Sequence, residues 1–513
     1  MTLLQPELLA RLAGAFPEGV AWKDLADSQE LSLASWHLLS NRLARGLCER
    51  GLVPGDRVAL AVPEREPLTW LVSYMGIHKA GGVAVPLNTR LSGPEVTRIL
   101  RHAGVSVLLA SDPLLATIPE VGARVPIIAT TGGAVGTGGS DGTRTATLSW
   151  NDLLSPDDSP VAHSIRADDV ADIMYTSGTT GDPKGVLVPH GGLSSTDRVP
   201  SSWHGLGFLT SSAFSTTSGS LLVCGPMRGG MSGWFLPRFD PEAWLTSVAS
   251  ARPVAAFLVP AMVQLLVAHP RFASADLSSL AVVNIGSAPI AAQTLRRLGA
   301  KIPSANIMCG YGLTEFGAVT AMPMGDGGRH SGSVGLPLPG VVVHILTPEG
   351  DEVATGEVGH IAIGGTRPRR AYFRDTDTAG TTWKDGWLMS GDLGHIDADG
   401  FLWIAGRQKE MIIRGGHNIV PGEVEAALFE HPRVIEAAVA AVPHEVLGED
   451  VAAWLVLSEP LPSVDDLRAF LLERLADYKV PRRITVVDAL PRNEAGKVLK
   501  DRLVAHEERR SAP

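Results

Sequence analysis

Up to about residue 400, short apolar runs rich in Val, Ala and Leu alternate with longer stretches of helical periodicity, as in VALAVPE from Val58, VSVLLAS from Val105 and VAAFLVP from Val254. That alternation predicts βαβ units and parallel sheets. The opening MTLLQPELLARLAGAFPEG spaces its leucines for one helical face, and Pro6 and Glu7 suit a first turn, so a short amphipathic helix is predicted. Thr131 to Thr145 is glycine-rich and poor in apolar residues, which predicts a mobile surface loop. From Gly335 to Gly400 the segments LPLPG, TPEGDE and DADG supply turns between alternating strands, a hairpin-rich section.

After Gly406 the pattern changes again. IIRGGHNI leads into VPGEVEAALFEHP, where Pro421 near the first turn and Glu423 and Glu425 towards the N-terminal end favour a helix. Strand–helix–strand units follow. A short, polar boundary from Gly406 to Lys409 suits a hinge, so the expected division is residues 1–406 and a C-terminal domain of residues 407–513. The fold class is therefore α/β, with a large multi-subdomain N-terminal part containing mixed parallel sheets and a small α+β C-terminal domain.

Bulk properties narrow the function. A chain of 513 residues exceeds the size at which single cores stop growing, so two or more domains are expected. With a formal charge of −10 and no long basic run, an electrostatic nucleic-acid partner is not expected. Cys48, Cys224 and Cys309 form no CxxC or Cys/His cluster, which points to reduced structural thiols and to neither a zinc site nor a disulfide frame. No signal peptide, membrane span or lipidation signal is read, and a cytoplasmic protein is the expectation.

The chemistry concentrates in YTSGTTGDPKG, from Tyr175 to Gly185. Its glycines let backbone N–H groups approach an anion, Ser177, Thr179 and Thr180 add hydroxyls, and Lys184 adds a point charge. The loop suits phosphate. It is not a Walker A motif, because Lys184 follows Pro183 and precedes Gly185 where that motif needs Ser or Thr.

YTSGTTGDPKG resembles the phosphate-binding loop of the adenylate-forming superfamily. Further signatures follow in order: GSAP at Gly286 to Pro289, YGLTE at Tyr311 to Glu315, SGD at Ser390 to Asp392, GRQKEMIIRGGHNIVPGEVE at Gly406 to Glu425, and PRNEAGK ending at Lys497. The resemblance covers essentially the whole chain. It implies a small β-barrel-like subdomain within the N-terminal part, and a two-step reaction. A carboxylic acid attacks the α-phosphorus of ATP to give acyl-adenylate and pyrophosphate, and the thiol of CoA then displaces AMP. Such chemistry rests on positioning and charge neutralisation, so donors, a metal and a lysine should dominate.

The roles implied by the resemblance fall residue by residue. Thr176, Ser177, Gly178, Thr179, Thr180, Gly181 and Lys184 would hold the β- and γ-phosphates, with Gly286, Ser287, Ala288, Pro289, Tyr311 and Gly312 around the nucleotide and Tyr311 against adenine. Thr314 would donate to the α-phosphate, Glu315 would be the Mg²⁺-associated carboxylate, Asp392 would take the ribose hydroxyls, and Arg407 would reach the ribose. Lys497 would bridge carboxylate and α-phosphate in the first step. Lys409 would be the hinge about which the C-terminal domain turns, bringing Arg414, Gly415 and Gly416 to the thiol path for the second.

Departures from the pattern bear on the substrate. Where many relatives carry an aromatic residue followed by histidine, this chain reads SSAFSTTSG, with Phe214, Ser215, Thr216 and Gly219 assigned to the acyl pocket. Ser215 stands where histidine is expected. Smaller side chains leave space, so a large hydrophobic acid is expected, and the absence of an aspartate there argues against an amino-acid substrate. A carrier protein is the alternative acceptor, a non-catalytic nucleotide-binding scaffold is a further alternative, and the oligomeric state, homodimer included, is left open.

Overall fold

A computed structural model describes residues 3–118, 125–132, 146–176, 184–193, 198–326, 328–367, 369–374, 383–492 and 497–511. Two compact units are formed. The first comprises Met1–Phe239, Thr314–Gly317 and Pro368–Ala379, and the second Asp240–Leu313, Ala318–Arg367 and Gly380–Pro513. Residues 133–145 of the glycine-rich stretch lie outside the described residues.

In the first unit, seven strands run in the order Ala146–Ser149, Ile127–Thr130, Val107–Ala110, Arg57–Ala61, Val83–Pro86, Val170–Thr176 and Lys184–Pro189. All are parallel except the last, which returns antiparallel to Val170–Thr176. The runs of the central strands Arg57–Ala61, Val83–Pro86 and Val107–Ala110 are buried on both faces, as a parallel sheet covered by helices requires. Gly207–Thr210, Ser232–Phe235 and Val20–Asp24 form a second set of parallel strands, with Glu30–Ser32 antiparallel at its edge. The predicted N-terminal helix is Gln5–Ala15.

Local chemistry explains the covering helices. Leu33–Glu49 starts where the Ser32 hydroxyl accepts from the Ser35 N–H, and it buries Trp36, Leu43 and Leu47. Gly46 lets this helix pass the Leu153 carbonyl, which lies 1.5 Å from where a Cβ would sit. Gly93–Ala103 carries a capping box from Ser92 and Glu95 and ends at Gly104.

The second unit holds the parallel strands Ala255–Leu258, Val282–Ile285 and Asn306–Leu313. The hairpin-rich section becomes an antiparallel sheet of Val341–Leu346, Gly359–Gly365, Trp383–Lys384, Trp387–Ile396 and Leu402–Arg407. Beyond it, Ile412–Arg414, His417–Ile419, Val434–His444, Gly448–Leu457 and Arg483–Val486 make a further sheet. The helices Pro421–Phe429 and Val464–Leu472 contribute Val424, Leu428, Leu467 and Leu471 to a core shared with Ile412, Ile419, Val439, Val451 and Leu455 of that sheet. Parallel sheets, a small antiparallel sheet and an α+β C-terminal region are thus all present, which is the expected fold class.

Candidate active site

In the second unit, two sequence motifs end neighbouring parallel strands. Val282–Ile285 leads into Gly286, Ser287, Ala288 and Pro289, and Asn306–Leu313 carries Tyr311 and Gly312 at its carboxyl end. Ligands of open α/β sheets bind outside such ends. Ser287 has φ +77°, a left-handed conformation that a non-glycine residue adopts at a cost and that clusters at binding sites.

Tyr311 donates its hydroxyl to Asp392 Oδ2 at 2.5 Å. Asp392 and Arg407 are cross-strand partners of Trp387–Ile396 and Leu402–Arg407, so register alone sets them side by side, and Arg407 Nε lies 3.1 Å from Asp392 Oδ1. The Asp392 N–H donates to Ser390 Oγ, which itself donates to the Ile361 carbonyl. Burial first, then the Asp392 charge, pushes the Tyr311 hydroxyl far above its ordinary range, so it stays a protonated donor.

Lys497 belongs to the same unit. Its Nζ is 3.8 Å from Glu410 Oε1, and burial followed by the charges of Arg407 and Lys409 lowers its pKa against the opposing pull of Glu410 and Asp392. Lys409 sits in the single 3₁₀ turn Gln408–Glu410. Arg414, Gly415 and Gly416 form the hairpin between Ile412–Arg414 and His417–Ile419; Gly415 and Gly416 have φ of +55° and +86°, and Arg414 Nε pairs with Asp450 at 2.6 Å.

YGLTE passes into the first unit after Leu313. There the Thr314 hydroxyl is 2.8 Å from the Thr217 hydroxyl, and the buried Arg370 donates to the carbonyls of Thr314 and Gly192. Glu315 accepts the Tyr372 hydroxyl at 3.0 Å. The Leu187 N–H donates to the Ala371 carbonyl and the Phe373 N–H to that of Gly185, tying residues 371–373 to Lys184–Pro189. The Glu315 carboxylate is therefore coupled to the strand that Lys184 begins. Thr176 and Lys184 are register partners, whereas Ser177, Gly178, Thr179, Thr180 and Gly181 lie outside the described residues.

Of the acyl-pocket candidates, Phe214 is 3% exposed and stacks on Trp70 and Phe235, with its edge to Trp22. Ser215 is half-buried. Thr216 caps the helix Thr217–Leu222 by accepting from the Gly219 N–H, and a Cβ on Gly219 would meet the Ala213 carbonyl at 2.0 Å. The segment that follows Phe214 and the Thr314 segment are thus joined through Thr217.

Comparison with known proteins decides the family. The AMP-binding enzyme family matches residues 9–373, and its C-terminal domain matches residues 423–497. The chain belongs to the AMP-binding enzyme family. It is 34% identical to a feruloyl-CoA synthase of Amycolatopsis over 90% of each chain, and 31% identical to the indoleacetate–CoA ligase of Aromatoleum aromaticum over 96% of each. The ATP-bound structure of MatB from Rhodopseudomonas palustris superposes with a TM-score of 0.84 at 31% identity, covering 99% of both chains. The protein is an acid–thiol ligase of the AMP-forming type.

Several groups in this ligase escape sequence reading. Arg370 and Tyr372 reach Thr314 and Glu315 from more than fifty residues downstream, and no pattern around them marks either. Lys500 and Glu425 form an ion pair at 2.9 Å, and Lys500 also meets Glu410. Another buried cluster lies behind the strand Val170–Thr176: Asp172 accepts from the Tyr74 hydroxyl at 2.8 Å and lies 2.9 Å from His78 Nε2, and His78 packs edge-on to His190. Among the described residues no helix is long and apolar enough to cross a membrane.

Proposed function

We propose that this ligase activates a large, ring-bearing hydrophobic carboxylic acid with ATP and Mg²⁺ and passes the acyl group to CoA in the cytoplasm. The observation that carries the nucleotide half is the Tyr311–Asp392–Arg407 arrangement. Each Asp392 oxygen keeps a further acceptor position for a ribose hydroxyl, and Arg407 and Lys497 bring positive charge to the same place. Thr314 donates to the α-phosphate, and Lys497 stabilises charge as the acid attacks.

Glu315 fits a magnesium ion. One of its oxygens serves Tyr372, and no group of three or more His, Cys, Asp or Glu suited to a metal occurs among the described residues. Mg²⁺ is commonly bound by one or two carboxylates together with substrate phosphates rather than by an all-protein cage. When bound, the ion would neutralise phosphate charge. The Ser177–Gly181 loop and Lys184 serve the β- and γ-phosphates.

For the second half, residues 407–513 turn about Lys409 and the Arg414–Gly416 hairpin lines the thiol path. Two features support a bulky acid: the small side chain of the half-buried Ser215, and the ring-bearing acyl groups in the names of the feruloyl and indoleacetate relatives; Gly219 adds no room, because the Ala213 carbonyl fills the place of its Cβ. The test is pyrophosphate release with ATP and Mg²⁺ across aliphatic, aromatic and polycyclic acids, with and without CoA, following AMP and thioester by mass. Acid-dependent release followed by a CoA thioester is expected, fastest with ring-bearing acids. Release that stalls at acyl-adenylate would move the thiol to a carrier protein, and a preference for short aliphatic acids would overturn the substrate class.

A further inference from the structure

Lys497, Glu410, Lys500 and Glu425 form a line of alternating charge in the second unit. Glu410 Oε1 faces Lys497 Nζ at 3.8 Å, Glu410 Oε2 faces Lys500 Nζ at 3.2 Å, and Lys500 Nζ lies 2.9 Å from Glu425 Oε1. Glu425 is anchored in turn, because the same oxygen accepts the Val439 N–H at 2.8 Å. Lys500 opens the helix Lys500–Ser511, Glu425 lies in Pro421–Phe429, and Glu410 ends the 3₁₀ turn that follows Arg407.

Two ion pairs therefore bracket the turn. Arg407 is held by Asp392 on one side, and Glu410 by Lys500 on the other. This leaves Gln408 and Lys409 between the two clamped residues. The charges acting on Lys497 are the cations Arg407 and Lys409 and the anions Glu410 and Asp392. Burial raises the Glu410 carboxyl, but Lys500, Lys497 and Arg407 together take it below its usual range, so it is charged at neutral pH.

We propose that Glu410 is a positioning residue for the first half-reaction: its carboxylate, anchored by Lys500 and Glu425, holds the Lys497 ammonium beside Arg407 and Asp392 and keeps it charged against the neighbouring cations. This rests on the role given to Lys497 above. Neutralising Glu410 leaves Arg407 and Lys409 opposed by Asp392 alone among those charges, and like charges disfavour the ammonium.

The full-length protein and its E410Q, E410A, E410D and K497A variants test the proposal. Competitive acetylation with acetic anhydride, read by peptide mass spectrometry across the alkaline range, reports the pH at which Lys497 loses its proton without any acid substrate. In E410Q and E410A that pH should fall by about one or more, the size of shift that an adjacent opposite charge exerts. The alkaline limb of pyrophosphate release, measured with the fastest acid of the panel, should move with it. E410D should return both towards wild type, and thioester formation from pre-formed acyl-adenylate should hold in all Glu410 variants. A purely structural Glu410 would lower thermal stability and both half-reactions together while leaving the Lys497 titration in place. That result, with K497A impaired in pyrophosphate release, overturns the proposal alone. Wild-type pyrophosphate release in K497A overturns the reading of Lys497 and the proposal with it.

Discussion

Tyr311 and Asp392 meet through a 2.5 Å hydrogen bond although 81 residues separate them, and the nearly buried Asp392 uses its other oxygen for Arg407. A strand end of the parallel set and a strand of the antiparallel sheet thereby share one charged acceptor. Removing the hydroxyl in Tyr311→Phe deprives a carboxylate of a donor, a loss of about 1.5–3 kcal/mol for bonds to charged groups. Urea unfolding should show a drop of that order, and calorimetry should show weaker ATP binding. Unchanged ATP affinity would mean that Asp392 does not meet the nucleotide. Because burial raises the Tyr311 pKa, the folded protein keeps this proton longer than the unfolded chain. Its contribution to stability is therefore complete below the ordinary tyrosine value of 10.0 and declines as pH rises through the higher value of the folded state.

Thr314 and Thr217 face each other across 2.8 Å. With Thr314 in its proposed role as a donor to the α-phosphate, Thr314→Val should slow pyrophosphate release by about 10²–10³, the usual effect of deleting one such donor. Thr217→Val leaves that hydroxyl in place and only frees its rotation, so its loss should be smaller. Stopped-flow or exchange kinetics would rank the two; a larger effect from Thr217→Val would assign the principal contact to that residue.

His190 is buried beside His78, and desolvation first, then the charge of its neighbours, lowers its pKa from 6.5 to about 2. The unfolded chain binds a proton here that the folded protein refuses. Stability from this group is therefore complete above 6.5 and is lost as pH falls towards about 2. Thermal melts of His190→Asn should show a shallower loss of Tm on acidification than wild type. Parallel curves would mean that other groups, His37 among them, carry the acid sensitivity.

Gly416 has φ +86° with nothing within 4 Å of where a Cβ would sit, so Gly416→Ala meets only the backbone penalty of the left-handed region, about 1–2 kcal/mol. The hairpin should loosen locally. Thioester formation from pre-formed acyl-adenylate should slow while pyrophosphate release holds, a split visible in single-turnover assays. Equal loss in both steps would remove the hairpin from the thiol path.

The alternation of apolar runs and helical stretches is enough to read the α/β class, because each strand's burial is written in its own residues: the runs at Val58, Val105 and Val254 are strands, and Pro421–Phe429 is a helix. Local chemistry likewise places the turn at Gly416, where φ +86° decides and no neighbour lies within 4 Å of the Cβ position. Which groups share a charge is settled only when the chain is packed. Asp392 beside Arg407 follows from strand register, Tyr372 on Glu315 from residues 371–373 lying along Lys184–Pro189, and Lys500 on Glu410 from the packing of the C-terminal helix. Contacts of this kind depend on register and on distances across tens of residues. Hydrophobic periodicity, which records which face is buried but not against what, leaves no trace of them.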